Sequence, residues 1–253
     1  SVDGHTTTHR HMDGFVDDTT VWVNNGGKDL ETGSDAACIS NKLHESAQWW
    51  EELLSTTGGA LELPKCLYYI ISFGFNKEGT PRLHTPDELQ LPPITIRDSA
   101  TGTRAAVSMK PPSEPHRTLG VMQAPDLSSA GEFDRLYKLV CDENRKLIPF
   151  RLNASDSLVY LHSILRPKLT YSAPVTNLSR KQWQKIQRPI QVTLLNNIGF
   201  PRCFPLAAVF GPISVGGLGF VDGFTEQGVH HVQTLLFHLR AQTELGKMLL
   251  VTL

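Results

Sequence analysis

The feature that most limits what this chain can fold into is a change of period near Pro125. Ahead of it, apolar residues come in short aromatic and β-branched runs such as "YYIISFGF" (Tyr68 to Phe75), separated by glycines and prolines. Behind it, apolar residues recur every three or four positions, over Leu127 to Leu147, Ser155 to Leu165, Ser179 to Ile198 and Glu226 to Leu253. Runs of strands followed by runs of helices predict an α+β protein: an antiparallel sheet with a flanking helix, then a helical region. Hydrophobic residues at 40% and charged residues at 19% exclude disorder of the whole chain. Its apolar runs fall well short of the roughly 20 residues a membrane helix needs.

Within the first region, Met12 to Val16 and Thr19 to Val23 read as a hairpin around Asp17 and Asp18. Ser34 is a candidate N-cap for a helix whose apolar stripe is Ile39, Leu43, Ala47, Trp50 and Leu54, ending at Gly58 and Gly59. Strand character resumes after Pro64. A proline-rich loop precedes two further strands around a Ser-Ala-Thr-Gly turn, and a strand at Arg117 to Met122 closes the region.

The net charge of −1 hides an asymmetry. Up to Pro64, eleven acidic residues face three basic ones. From Phe150 to Ile190, the seven basic residues Arg151, Arg166, Lys168, Arg180, Lys181, Lys185 and Arg188 face Asp156 alone. On the helix opened by Ser179 and Gln182, a capping-box spacing, Lys181, Lys185 and Arg188 share one face. Trp183, Ile186, Ile190 and Leu194 share another, and Pro189 is expected to kink or split the helix. The basic face fits a phosphate backbone or an ordinary solvated surface. Trp22 and Trp183 are expected to pack in the core.

Other patterns are weaker. The four cysteines form no C-x-x-C pair, which points to a reducing, intracellular setting. His5, His9 and His11 cluster without cysteine partners, and His230 with His231 reads as surface. "GGLG" at Gly216 to Gly219 lacks a nucleotide-binding spacing and reads as a flexible link. Neither end has a leader or a natural stop, so the chain is expected to begin within a domain and to end in a truncated helix.

Two adjacent aspartates in a turn fit local hydrogen bonding as well as metal binding. The series of motifs that this pair heads resembles the latter half of a reverse transcriptase of the non-LTR retrotransposon type. "FVDD" at Phe15 to Asp18 looks like the aromatic-x-Asp-Asp signature of the palm. "GGALELPKC" at Gly58 to Cys66 looks like the lysine-bearing motif after it, and "RTLGV" at Arg117 to Val121 like the Leu-Gly primer-grip hairpin. The segment from Ser163 to Pro189 and "GPISVGGLG" resemble the thumb side.

The resemblance implies a partial palm with an accessory hairpin over 1–125, a helical thumb-like region over 126–210, and a glycine-rich link with a final helical segment over 211–253. Asp17 and Asp18 are then Mg2+ ligands and Phe15 packs by the primer end. Lys65, otherwise a surface lysine, stabilises the leaving pyrophosphate, and Leu119 and Gly120 form the grip. Arg166, Lys168, Arg180, Lys181, Lys185 and Arg188 hold an RNA or DNA template with its primer, and the intact enzyme takes a deoxynucleotide.

Carboxylate oxygens suit the paired magnesium ions of nucleotidyl transfer. The family's earlier palm aspartate and fingers have no match here, since Asp3 lacks the strand context. The chain alone is therefore expected not to polymerise. Two other readings stay open: a non-catalytic nucleic-acid-binding remnant, and an unrelated phosphotransferase using Asp222.

Overall fold

The computed structural model describes residues 12–15, 18–24 and 34–252. It is mixed helix and strand, and its contacts divide it into two compact units.

The first unit holds the described residues of His9–Pro115 with Ala124–Asp126. Its elements are β1 (Met12–Phe15), β2 (Asp18–Val21), α1 (Ser34–Thr56), a 3-10 turn (Leu63–Lys65), β3 (Leu67–Tyr68), β4 (Phe73–Phe75) and β5 (Pro81–Leu83). They continue with α2 (Pro86–Leu89), β6 (Thr95–Arg97), β7 (Arg104–Ala106) and β8 (Ser108–Met109). Strands pair two by two among the described residues: β1–β2, β4–β5 and β6–β7 antiparallel, β3–β8 parallel. Isolated pairs are marginal in water, so a shared apolar layer must hold them. Around β3, β6 and the segments beside them Tyr68, Ile70, Ile94, Ile96 and Val107 supply it, with Ala36 of α1, whereas Phe73 and Phe75 of β4 are exposed.

Helix α1 ends as its glycines predict. Gly58 takes φ +81, its N–H reaches the Ser55 carbonyl, and the Gly59 N–H reaches Leu54, the two bonds of a Schellman cap. Its apolar stripe is only half-buried, because the innermost positions are Ala36, Ser40 and Glu51. Two polar residues of α1, Gln48 and Glu51, do a strand's work. Gln48 pairs with both backbone groups of Arg97, and Glu51 accepts from the Ser99 N–H and hydroxyl. Trp22, expected in the core, is half exposed.

The second unit holds His116–Gln123 and the described residues of Leu127–Leu253. It contains β9 (His116–Thr118), β10 (Val121–Gln123), α3 (Ala130–Leu147), α4 (Ala154–Tyr160), a π turn (Leu161–Leu165) and α5 (Arg166–Thr170). A 3-10 turn (Ala173–Val175) follows, then α6 (Arg180–Asn197), α7 (Leu206–Phe210), a 3-10 turn (Ile213–Val215), α8 (Gly223–Arg240) and α9 (Glu244–Thr252). Leu136, Val140 and Leu147 of α3 meet Trp183, Ile186, Ile190, Leu194 and Leu195 of α6 in one core.

Several local rules yield to this packing. Helix α3 starts three residues later than its spacing suggests, because Leu127 adopts φ +63. Pro167 does not end its helix: with no N–H to give the preceding turn, the chain widens into the π turn and continues as α5. Nor does Pro189 split α6, whose two halves are both anchored by buried side chains. Gly211 to Phe220 is a packed strap rather than a flexible link. Leu218, Gly219 and Phe220 donate to Ala208, Gly211 and Val209, and a Cβ on Gly217 would sit 2.1 Å from the Gly211 carbonyl oxygen.

Two glutamines bind this unit together. Gln187 donates to the Val221 carbonyl and accepts from the Gly223 N–H. Gln227 donates to the Leu178 carbonyl and accepts from the Leu178 N–H and from Trp183 Nε1. Gly223 lets the Trp183 ring approach, since a Cβ there would lie 2.3 Å from a ring carbon.

Candidate functional site

The acidic hairpin is the first sequence-predicted element. β1 and β2 pair in register from Met12↔Val21 to Phe15↔Asp18, so Asp18 opens the second strand and two residues join the strands. Asp17 lies outside the described residues, as do the side chains of Phe15 and Asp18 and the cluster His5, His9 and His11. Among the described residues no group of three His, Cys, Asp or Glu could hold a metal ion.

Lys65 closes the 3-10 turn that Pro64 helps to start. Its ammonium pairs with Glu62 at 3.0 Å, both side chains mostly in solvent, which makes the pair weak. Next to it, burial and the Glu62 charge push the Cys66 thiol up.

Leu119 and Gly120 join β9 to β10, paired as Thr118↔Val121, Arg117↔Met122 and His116↔Gln123. Both turn residues have positive φ, +50 and +87, the signature of a two-residue type I′ turn. Glycine takes that conformation freely. Leucine does so at a cost of about 1–2 kcal/mol, so something beyond the hairpin must hold it.

Two contacts do. The fully buried Glu132 of α3 accepts from the Met122 N–H at 2.9 Å and holds Arg135 through Nε at 2.8 Å and Nη2 at 2.5 Å. At the tip, the Tyr171 hydroxyl donates to the Leu119 carbonyl at 2.8 Å, and its ring lies 3.6 Å from where a Gly120 Cβ would stand. Glu132, Arg135 and Tyr171 are functional candidates that spacing did not reveal. The Tyr171 partner lies 52 positions away, and nothing in the sequence marks it.

The basic residues fall into two groups. Lys181, Lys185 and Arg188 lie on the exposed side of α6, opposite the buried Trp183, Ile186, Ile190 and Leu194. Ser179 caps this helix by accepting the Gln182 N–H while Gln182 accepts the Ser179 N–H. Lys185 sits over the rings of Phe133 and Tyr137, at 5.4 and 5.7 Å, which themselves stack. Arg180 sits over Phe224 at 5.0 Å. Ring faces of this kind hold a cation in place without neutralising it.

Arg166 and Lys168 are committed elsewhere, to Glu226 at 2.8 Å and Glu143 at 3.2 Å. Lys146, the Tyr160 hydroxyl and Lys168 together hold the Glu143 carboxyl down to about 2. The same contact, with burial, pushes the Tyr160 phenol up. Of the two adjacent histidines, His231 bonds the Thr176 carbonyl at 2.8 Å.

The second unit therefore carries a cationic helix face and a strained hairpin tip, both fixed to one core. Comparison of the chain with protein-family models, with curated proteins and with solved structures returned no match.

Proposed function

We propose that this chain is part of an RNA-directed DNA polymerase of a retroelement, carrying palm-like and thumb-like portions. The observation that carries the reading is the order of its motifs together with their local form. An Asp-Asp hairpin comes first, then a Pro-Lys turn entering a strand, a Leu-Gly type I′ hairpin, and a capped helix with one cationic face. Chance explains any one of these more easily than the series.

On this reading Asp17 and Asp18 would hold magnesium in the intact enzyme, completed by a carboxylate that has no match in these 253 residues. A metal held by these carboxylates would supply charge stabilisation for the primer hydroxyl and the leaving pyrophosphate. Two adjacent carboxylates suit a hard cation but are an incomplete set, so nucleotidyl transfer is proposed of the intact enzyme and template binding of this chain. On the same reading Lys65, released from Glu62, would neutralise the leaving group. The exposed cations of α6 supply a sequence-independent grip on phosphates.

Water-proton relaxation during Mn2+ titration tests the acidic pair, with a primer–template duplex present. The wild-type chain is expected to bind Mn2+ several-fold more tightly than Asp17→Asn. Identical curves would reject the metal site and leave a nucleic-acid-binding chain without metal chemistry.

A further inference from the structure

We propose that Tyr171 is a positioning residue that sets the Leu119–Gly120 tip for contact with a primer's 3′ end. The inference rests on the polymerase reading and extends it to a residue to which that reading gave no role. A two-residue hairpin is poorly fixed alone, and this one contains a leucine where the turn favours asparagine or glycine. The leucine is 44% exposed, so core burial does not explain its presence.

Tyr171 is itself 61% exposed and follows α5 directly. Its hydroxyl holds the Leu119 carbonyl and its ring backs Gly120, so the tip cannot rock away from the helices. Glu132 fixes the base of the same hairpin through Met122. With base and tip both anchored, the half-exposed Leu119 is held at the hairpin tip while the Tyr171 ring backs Gly120. That pairing suits the sugar and base at the end of a strand, where a ring can stack and an apolar side chain can pack. A blunt duplex has strand ends but no 3′ end recessed on a template that runs past it.

The test compares the affinity of the 253-residue chain for a DNA primer recessed on an RNA template with its affinity for a blunt duplex of the same length. Wild type should favour the recessed end. Tyr171→Phe should lower that ratio roughly two- to tenfold, as for loss of one neutral hydrogen bond, with blunt-duplex affinity unchanged and the melting temperature lower by only about 1–6 °C. Leu119→Asn should raise the melting temperature and lower the same ratio.

A wild-type ratio of one overturns the polymerase reading and this inference together. A preference in wild type that Tyr171→Phe leaves intact overturns the inference alone. Equal losses on both duplexes also overturn it, because they report general loosening rather than positioning.

Discussion

Replacing Gln227 by methionine tests how the helical unit is held together. The side chain is 3% exposed, and its amide serves three groups: the Leu178 N–H at 3.0 Å, the Leu178 carbonyl at 3.1 Å and Trp183 Nε1 at 2.9 Å. Methionine matches glutamine in length and offers none of these bonds. Each buried group left unpaired costs about 1–3 kcal/mol, and partial relaxation brings the sum to about 3–6 kcal/mol. At about 2–4 °C per kcal/mol for a chain of this size, the melting temperature should fall by roughly 6–24 °C.

Urea unfolding followed by tryptophan fluorescence reads the loss, with Trp22, Trp49 and Trp50 replaced by phenylalanine so that Trp183 alone reports. Gln227→Glu supplies a second arm. Ionised, it still accepts from Leu178 and Trp183 but sets a charge against the Leu178 carbonyl, whereas protonated it regains a donor. That variant's deficit relative to wild type should shrink as pH falls. A loss below about 1 kcal/mol in Gln227→Met, well under the cost of even two orphaned groups, would refute the reasoning.

Other outcomes derive from the same geometry. The Glu143 carboxyl is held to about 2, below its ordinary 4.5, so its contribution is present above pH 4.5 and lost as pH falls toward 2. Its lysine partners face solvent, which limits that contribution to about 1–2 kcal/mol. The stability difference between wild type and Glu143→Gln, measured by urea unfolding, should therefore vanish near pH 2. Pro189→Ala gives α6 back an N–H for the Lys185 carbonyl and should stabilise the chain by about 1–3 kcal/mol. A lower urea midpoint in that variant would show that the proline shapes the helix rather than being tolerated by it.

Much of the helical unit is legible in the sequence because its signals are local. Ser179 and Gln182 announce the start of α6, and the spacing of Trp183, Ile186, Ile190 and Leu194 names its buried face. Another local signal is masked by its surroundings: Thr85 to Glu88 has the spacing of a capped helix inside a proline-rich stretch that reads as loop. There Glu88 reaches back to the Thr85 N–H at 2.9 Å and opens α2.

What the sequence conceals is non-local. Pro167 and Pro189 are helix breakers by residue type, yet the core on either side of each outweighs the single bond each removes. Gly211 and Gly217 are small so that two backbones can touch, which looks the same in sequence as a flexible link. The anchors of the Leu119–Gly120 tip, Glu132 and Tyr171, leave no periodic trace because each reaches another element.

The claim that this chain itself binds a template rests on the exposed face of α6, and salt dependence tests that most directly. With Arg180, Lys181, Lys185 and Arg188 each neutralising one phosphate, affinity for a DNA duplex should fall roughly 150-fold between 50 and 200 mM KCl, a log–log slope of about −3.6. Neutralising Lys181, Lys185 and Arg188 together to glutamine should bring the slope to about −1. Fluorescence anisotropy across that range gives both slopes. Equal slopes for wild type and the triple variant, or no binding by wild type at 50 mM, would contradict the account.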